Sequence, residues 1–431
     1  MSKIMLKELY IHNFKSFYKS TFKFGKLNCL IAPNNTGKSN LIEALEFLDN
    51  LIYQNPARAF AKVGIDPTNY HYDDDNIITI NAEFEIHNLV LINDILIEYK
   101  IELLYLFNID YVSKVPIIDI IVNNSKIKAI QIDNADLNNG LKERVFNNIA
   151  EYINNFNIYT DRLDTKRFAS FDFDYNNNTL SYNIKSRHQN TEKLVKILFG
   201  LGIGKEYESK PTRLDLRLLF NRSSLFSSHY FHPNNMKTTQ NSGYNYLLKD
   251  GTNLPEYLNS LDKNTFEDIS TSLIGEVELI DSVEVKDGFT TELIFNEELN
   301  GKIYPVKLQK VSDGTVHFVS IMSALIGNNY SIGMMIEEPE RHMHMKVLSY
   351  ILNTMRDDAK QIFFTTHSGE LLKELNQEEI IFLYRDEDTG DTKSLNASKI
   401  KQLDKIFKKY KYEISDIIKD SVLGYIGDYD G

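Results

Sequence analysis

Four short stretches of this chain carry residue types that together suit transfer of a phosphoryl group to water. They are Asn34-Asn35-Thr36-Gly37-Lys38-Ser39-Asn40, Ser312-Asp313-Gly314-Thr315, Glu337-Glu338 and Thr366-His367-Ser368, in that order along 431 residues. The reaction needs cradled phosphates, a divalent cation, a group that positions or deprotonates water, and neutralisation of transition-state charge. Turned backbone N–H groups at 34–37, opening a helix N-terminus, present unpaired donors and a positive dipole end to phosphates. Lys38 is placed to reach the β- and γ-phosphates, and the Ser39 hydroxyl to bind Mg²⁺. Glu337 closes an apolar strand expected beside the P-loop strand, where a carboxylate holds the metal, usually through a water. Glu338, directly after it, points toward the γ-phosphate as general base. His367, at the end of the next apolar strand, senses or polarises the same phosphate. Taken singly each has a plainer reading: a capped helix for Gly-Lys-Ser, an acidic first turn for the Glu pair, a core or capping histidine. Their order behind one P-loop argues for the shared site.

The elements that must hold these groups are legible as patterns. An apolar run (Leu27, Cys29, Leu30, Ile31) enters the loop, and Leu41, Leu45 and Leu48 mark one face of the helix that leaves it. Residues 4–31 read as two or three strands, and Ile77 to about Ile132 as a strand meander. Residues 54–76 read as a loop, whose Asp73-Asp74-Asp75 is a solvated tip before it is a metal site. A helix over 141–157, short strands at FDFDY and TLSYNI, and a mostly helical 191–226 follow. His229 and His232 have no matching Cys or carboxylate pair nearby, so they read as a strand end with a Pro-Asn turn rather than as ligands. Asp250-Gly251 is a turn, with Pro255 in the first turn of the next helix. Strands fill 276–310, and Ser312-Asp313-Gly314 opens an apolar helix.

Composition sets the outer limits. Hydrophobic residues at 42% can build ordered cores. The single cysteine excludes an internal disulfide, fits a reducing compartment, and at position 29 reads as a small buried hydrophobe. No uninterrupted apolar N-terminal core and no run of about 20 apolar residues is present, which points to a cytoplasmic chain without a membrane partner. The net charge of −12 argues against binding nucleic acid over the whole surface, while leaving a local basic groove open.

Taken together, NFKSF at 13–17, the P-loop, KDGTNLPEYLNSL at 249–261, VSDGT, IEEPERHMHMK and TTHS resemble the SMC/RecF-like branch of ABC-type ATPases, near the OLD family and the ATPases of phage-defence systems. The resemblance implies an α/β fold: an ABC-type P-loop ATPase head, with a mixed sheet flanked by helices plus an antiparallel β subdomain, and an inserted α+β region. The head's N-terminal part would be residues 1–135, the insertion 136–228, and its C-terminal part 229–431. It implies ATP and Mg²⁺ as ligands, and a homodimer closing around two ATPs. Ser312, Asp313 and Gly314 of one subunit would complete the site of the other, and Lys15 would approach the nucleotide. Two positions depart from the pattern. Ala32 stands where the loop's first glycine belongs, a substitution expected to cost on the order of 1 kcal/mol of backbone strain. Glu337 replaces an aspartate, placing its carboxylate one methylene further out. No glutamine is assigned to a Q-loop.

The TOPRIM nuclease of OLD-type relatives is not expected: Asp386-Glu387-Asp388 could pass as its Asp-x-Asp, but Asp388-Thr389-Gly390-Asp391 reads as a hairpin turn and too little chain follows. The favoured function is an ATP-driven sensor or regulator of a separate effector, a nuclease or toxin, in anti-phage defence. The alternatives are a RecF-like DNA-binding repair or loading factor, and an ATP-locked scaffold with little hydrolysis. Fold alone does not choose among them.

Overall fold

The computed structural model describes residues 3–53, 56–63, 77–92, 95–110, 115–131, 169–174, 179–184, 224–238, 242–288, 290–327, 330–386, 388–400 and 403–409. The expected helix at 141–157, the expected helical stretch of 191–226 as far as residue 223, the acidic triplet at 73–75 and most of the insertion lie outside them. At 224–226 the helical reading fails, because Ser224–His229 is a strand paired in parallel with another. The chain divides into two compact units.

The first comprises residues 1–14, 21–23 and 51–222. Its five-stranded sheet contains β1 (Lys3–His12), β2 (Ser20–Lys23), β4 (Ile77–Ile92), β5 (Ile95–Asp110) and β6 (Val115–Gln131), in the order β2-β1-β4-β5-β6. Ile78, Ile80, Ala82, Phe84 and Ile86 are buried while the residues between them are not, the alternation a one-sided sheet requires. Leu6 pairs with Phe84 and Ile11 with Ile80. The expected short strands at FDFDY and TLSYNI are β7 (Ala169–Asp174) and β8 (Thr179–Ile184), which pair antiparallel. One expectation fails: the loop read over 54–76 contains a helix, α2 (Pro56–Val63). Proline is compatible with a first helical turn, and Ala59 and Phe60 are buried.

The second unit comprises residues 15–20, 24–50 and 223–431. β3 (Leu27–Ile31) lies in a six-stranded sheet with β9 (Ser224–His229), β13 (Ser331–Glu337), β14 (Gln361–Thr366), β15 (Ile380–Arg385) and β16 (Thr392–Asn396). The order is β16-β15-β3-β14-β13-β9, parallel throughout except for β16. β3 and β14 are buried at every position, as parallel strands covered on both faces must be. The helices of this unit include residues 38–50 of α1 (Lys38–Tyr53), α3 (Leu254–Ser260), α4 (Lys263–Glu276), α5 (Asp313–Gly327), α6 (Met345–Asp357) and α7 (Leu403–Lys409). α5 is buried on every side from Thr315 to Leu325, mostly with apolar side chains, and its Ser320 and Ser323 hydroxyls donate to the carbonyls of Val316 and Val319. Its Val316, Phe318 and Met322 share one core with Leu348 and Ile351 of α6 and with Cys29, Met334 and Phe364 of the sheet. A three-stranded antiparallel sheet, β10 (Ile280–Lys286), β11 (Glu292–Leu299) and β12 (Lys302–Lys307), completes the mixed α/β fold.

Candidate nucleotide site

The parallel strands align their carboxyl ends on one edge, where open α/β sheets bind ligands. Along that edge stand the P-loop after β3, His367 after β14, and Glu337 and Glu338 at the end of β13. The sequence placed Glu337's strand directly beside β3. Instead β14 lies between them, pairing Thr366 with Ile31 on one side and Thr365 with Glu337 on the other. With neighbouring strands about 4.8 Å apart, this sets the carboxylates about 10 Å from the P-loop strand and puts the histidine between.

The P-loop turns through Asn35 (φ 61°) and Gly37 (φ 109°). A Cβ on Gly37 would meet Thr392 Oγ1 at 2.8 Å and Ser16 Oγ at 2.9 Å, so only glycine fits. Ala32 is fully buried and is not among the residues with positive φ. The strain expected there is absent, because the left-handed turns fall three and five residues later. Lys38 Nζ donates to Ala32 O at 2.6 Å and reaches Pro33 O at 3.5 Å. Burial lowers its pKa, while Glu338 and Glu340 act to raise it.

Two buried hydroxyls brace the loop from distant parts of the chain. Thr392 Oγ1 donates to Thr36 O at 2.8 Å and lies 2.9 Å from Ser16 Oγ, and Thr392 N donates to Ser16 O. Asn40, expected at the nucleotide, directs its amide to Ser16 Oγ at 2.8 Å. Arg385 donates to the Asn35 carbonyl at 3.1 Å. Thr36 is buried, whereas Asn34, Asn35 and Ser39 are exposed. Lys15, also at positive φ (50°), pairs with Glu43 of α1.

At the other side of β14, burial raises the pKa of Glu337. Glu338 sits at φ 47°, a conformation that costs a non-glycine residue on the order of 1 kcal/mol and persists only where the surroundings impose it. Its N–H donates to Thr365 O at 3.1 Å. Its carboxylate has two neighbours: His367 Nε2, 3.6 Å from Oε1, and Arg341 Nε, bonded to Oε2. Burial lowers the pKa of His367 and Lys38 reinforces the shift, which favours neutral imidazole. Glu340 fastens this corner: its Oε1 accepts from Thr366 Oγ1 at 2.6 Å and from His367 N at 3.1 Å. Burial raises its own pKa.

Ser312, Asp313 and Gly314 stand at the N-terminus of α5. Ser312 Oγ caps the helix by accepting from Thr315 N at 3.1 Å, and Lys237 Nζ pairs with Asp313 at 2.6 Å. A Cβ on Gly314 would come within 2.7 Å of the His342 carbonyl, so this turn packs on the backbone after the Glu pair. Among the described residues, the side chains of Ser312 and Asp313 bond to Thr315 and Lys237 rather than to the P-loop. No group of three or more His, Cys, Asp or Glu side chains suited to a metal occurs among them either. His229 ends β9 as expected, fully buried and stacked on Phe231 with its pKa pushed down to about 4. Asp386 accepts from the backbone N–H groups of Asp388 and Thr389, the work of a hairpin turn.

Sequence reasoning missed Ser16, Thr392, Glu340 and Arg341 as parts of this site. Glu340 and Arg341 lie in the quoted IEEPERHMHMK stretch and Ser16 in NFKSF. Thr392, 356 residues from Thr36, left no local signal.

A P-loop, a carboxylate pair and a histidine at the ends of adjacent parallel strands define the chain as an ABC-type P-loop ATPase head, SMC/RecF-like in its motif order. Residues 128–373, more than half of the chain, match the family model described as "AAA domain, putative AbiEii toxin, Type IV TA system", and the chain belongs to that family. Solved structures to which it is similar include the SMC head domain from Thermotoga maritima, at 11% identity, 91% of this chain, 98% of that one and TM-score 0.40. The Smc head domain with an extended coiled coil, bound to the C-terminal domain of ScpA derived from Pyrococcus furiosus, matches at 13% identity, 95% and 100% coverage and TM-score 0.40. The recombination mediator RecF-ATPrS matches at 15%, 91%, 98% and 0.35. No curated protein matches the chain. Among the described residues no helix is long and apolar enough to cross a membrane.

Proposed function

We propose that this chain binds and hydrolyses ATP, dimerises around it, and uses the closed state to regulate a separate effector in anti-phage defence. The observation that carries the enzymatic part is the convergence of Lys38, Glu338 and His367 at neighbouring strand ends: Glu338 acts on the pKa of both Lys38 and His367. Lys38 leaves the carbonyls of Ala32 and Pro33 for the β- and γ-phosphates, which offer it full negative charge in place of two dipoles. The backbone N–H groups of residues 34–38 bind the phosphates. Glu338 takes the proton of the attacking water, and His367 donates to a γ-phosphate oxygen. Ser39 and Glu337 supply hard oxygen donors of the kind Mg²⁺ accepts, and the ion when bound neutralises phosphate charge. The N-terminus of α5, with Ser312 and Gly314, serves the ATP of a partner subunit. The family's AbiEii description supports the defence role and an effector of nuclease or toxin type. Turnover is slow or gated by a partner, since Glu337 carries its carboxylate one methylene further out than the aspartate it replaces and so changes the reach to the cation.

The test is a pair of variants. Lys38→Ala is expected to lose ATP binding by titration calorimetry. Glu338→Gln is expected to retain it, to lose about a hundredfold or more in turnover, and to accumulate as an ATP-bound dimer by light scattering. Wild-type turnover in Glu338→Gln would refute the assignment.

A further inference from the structure

Arg341 is not part of the catalytic set above, yet its guanidinium is bonded to the proposed base. Its Nε donates to Glu338 Oε2, three residues back, across a turn closed by Arg341 N donating to Glu338 O at 3.1 Å. The guanidinium is held from a second side as well. Nη1 donates to Tyr230 Oη at 3.1 Å, and the guanidinium carbon lies 5.4 Å from the Tyr230 ring centre, within cation–π range. Arg341 is held a third time through its backbone: its carbonyl accepts from His317 Nδ1 at 2.6 Å. His317 is fully buried in α5, one turn in from Gly314, and Gly314 abuts the carbonyl of the next residue, His342.

We propose that Arg341 is a positioning residue that restrains Glu338. A carboxylate oxygen that accepts a charge-assisted bond has one of its lone pairs committed and its orientation fixed, so the group is less free to swing onto an attacking water. The Arg341 bond, with His367 on the other oxygen, therefore keeps Glu338 in a resting arrangement. Because the same arginine is anchored to α5, whatever docks on the N-terminus of that helix bears on the base through one side chain and one hydrogen bond. The restraint is weak by design of its surroundings: Arg341 is 36% exposed, so solvent screens the pair and modest displacement releases it. This inference rests on the reading of Glu338 as the base.

The experiment compares steady-state ATP turnover of the full chain with that of Arg341→Gln, Arg341→Lys, Tyr230→Phe and Glu338→Gln. Arg341→Gln is expected to raise kcat roughly fivefold, the rate equivalent of one exposed ion pair, with KM for ATP unchanged. Arg341→Lys, which keeps the charge, should return toward the wild-type kcat. Tyr230→Phe, which removes one anchor and leaves the fold's apolar contacts, should move kcat in the same direction by a smaller factor. A kcat that stays or falls in both Arg341→Gln and Tyr230→Phe, while Glu338→Gln is inactive, overturns the restraint and leaves the base in place. Full turnover in Glu338→Gln overturns both.

Discussion

At the level of single residues, the P-loop is shaped less by its own sequence than by two hydroxyls brought to it. Thr392 binds the Thr36 carbonyl and Ser16 together, and both hydroxyls are buried with almost no exposure. Removing one such partner costs about 1 kcal/mol or more, because the other polar group stays buried. Thr392→Val, nearly isosteric, is therefore expected to weaken ATP binding about fivefold and to lower the melting temperature by a few degrees. Thr392→Ser, which keeps the hydroxyl, should restore both. Calorimetric titration with ATP and a thermal melt check this, and equal behaviour of the two variants would remove Thr392 from the site's support. The same bracing explains why Ala32 is tolerated: the loop obtains its unusual angles at Asn35 and Gly37 instead.

At the level of elements, the position of β14 decides what the site can do. A strand between β3 and β13 separates the P-loop from the carboxylates by the width of one strand and delivers His367 into the gap. The strand at the far side, β9, contributes a constraint of another kind. His229 and, on α5, His317 both have pKa values pushed down to about 4 by burial. Above pH 6.5 both are neutral whether folded or not. As pH falls from 6.5 toward 4, the unfolded chain takes up protons that the folded chain refuses, so stability is lost progressively across that window, by on the order of 3 kcal/mol for each group. The melting temperature should therefore drop between pH 7 and pH 5, and His229→Phe should flatten that drop. An equally steep drop in the variant would assign the acid sensitivity elsewhere.

At the level of the whole molecule, the question is what the ATP cycle acts on. A net charge of −12 disfavours broad contact with phosphate backbones. Purified together with the products of its neighbouring genes, the chain is expected to co-elute with an effector in a manner that changes on adding ATP. The opposite result is equally readable: tight duplex binding by the chain alone, falling steeply with salt, would favour a repair or loading role.

The class of fold was legible from the chain alone, and so was the placing of the candidate residues at the ends of their elements. Gly37-Lys38-Ser39 sits where a polar turn opens an amphipathic helix, and Glu337-Glu338 and His367 sit where apolar strands end, and such boundaries are local patterns. The P-loop helix, the meander strands and the hairpin at 386–391 were legible for the same reason. Tertiary structure alone decided which strands are neighbours, since hydrogen bonding between parallel strands joins residues hundreds of positions apart. That choice set β14 between the P-loop and the Glu pair, and it brought Thr392 under Thr36. It also supplied the bond that Arg341, beside Glu338, donates to Tyr230 and the one its carbonyl accepts from His317. Local sequence names the groups that can react; long-range pairing sets the distances at which they do.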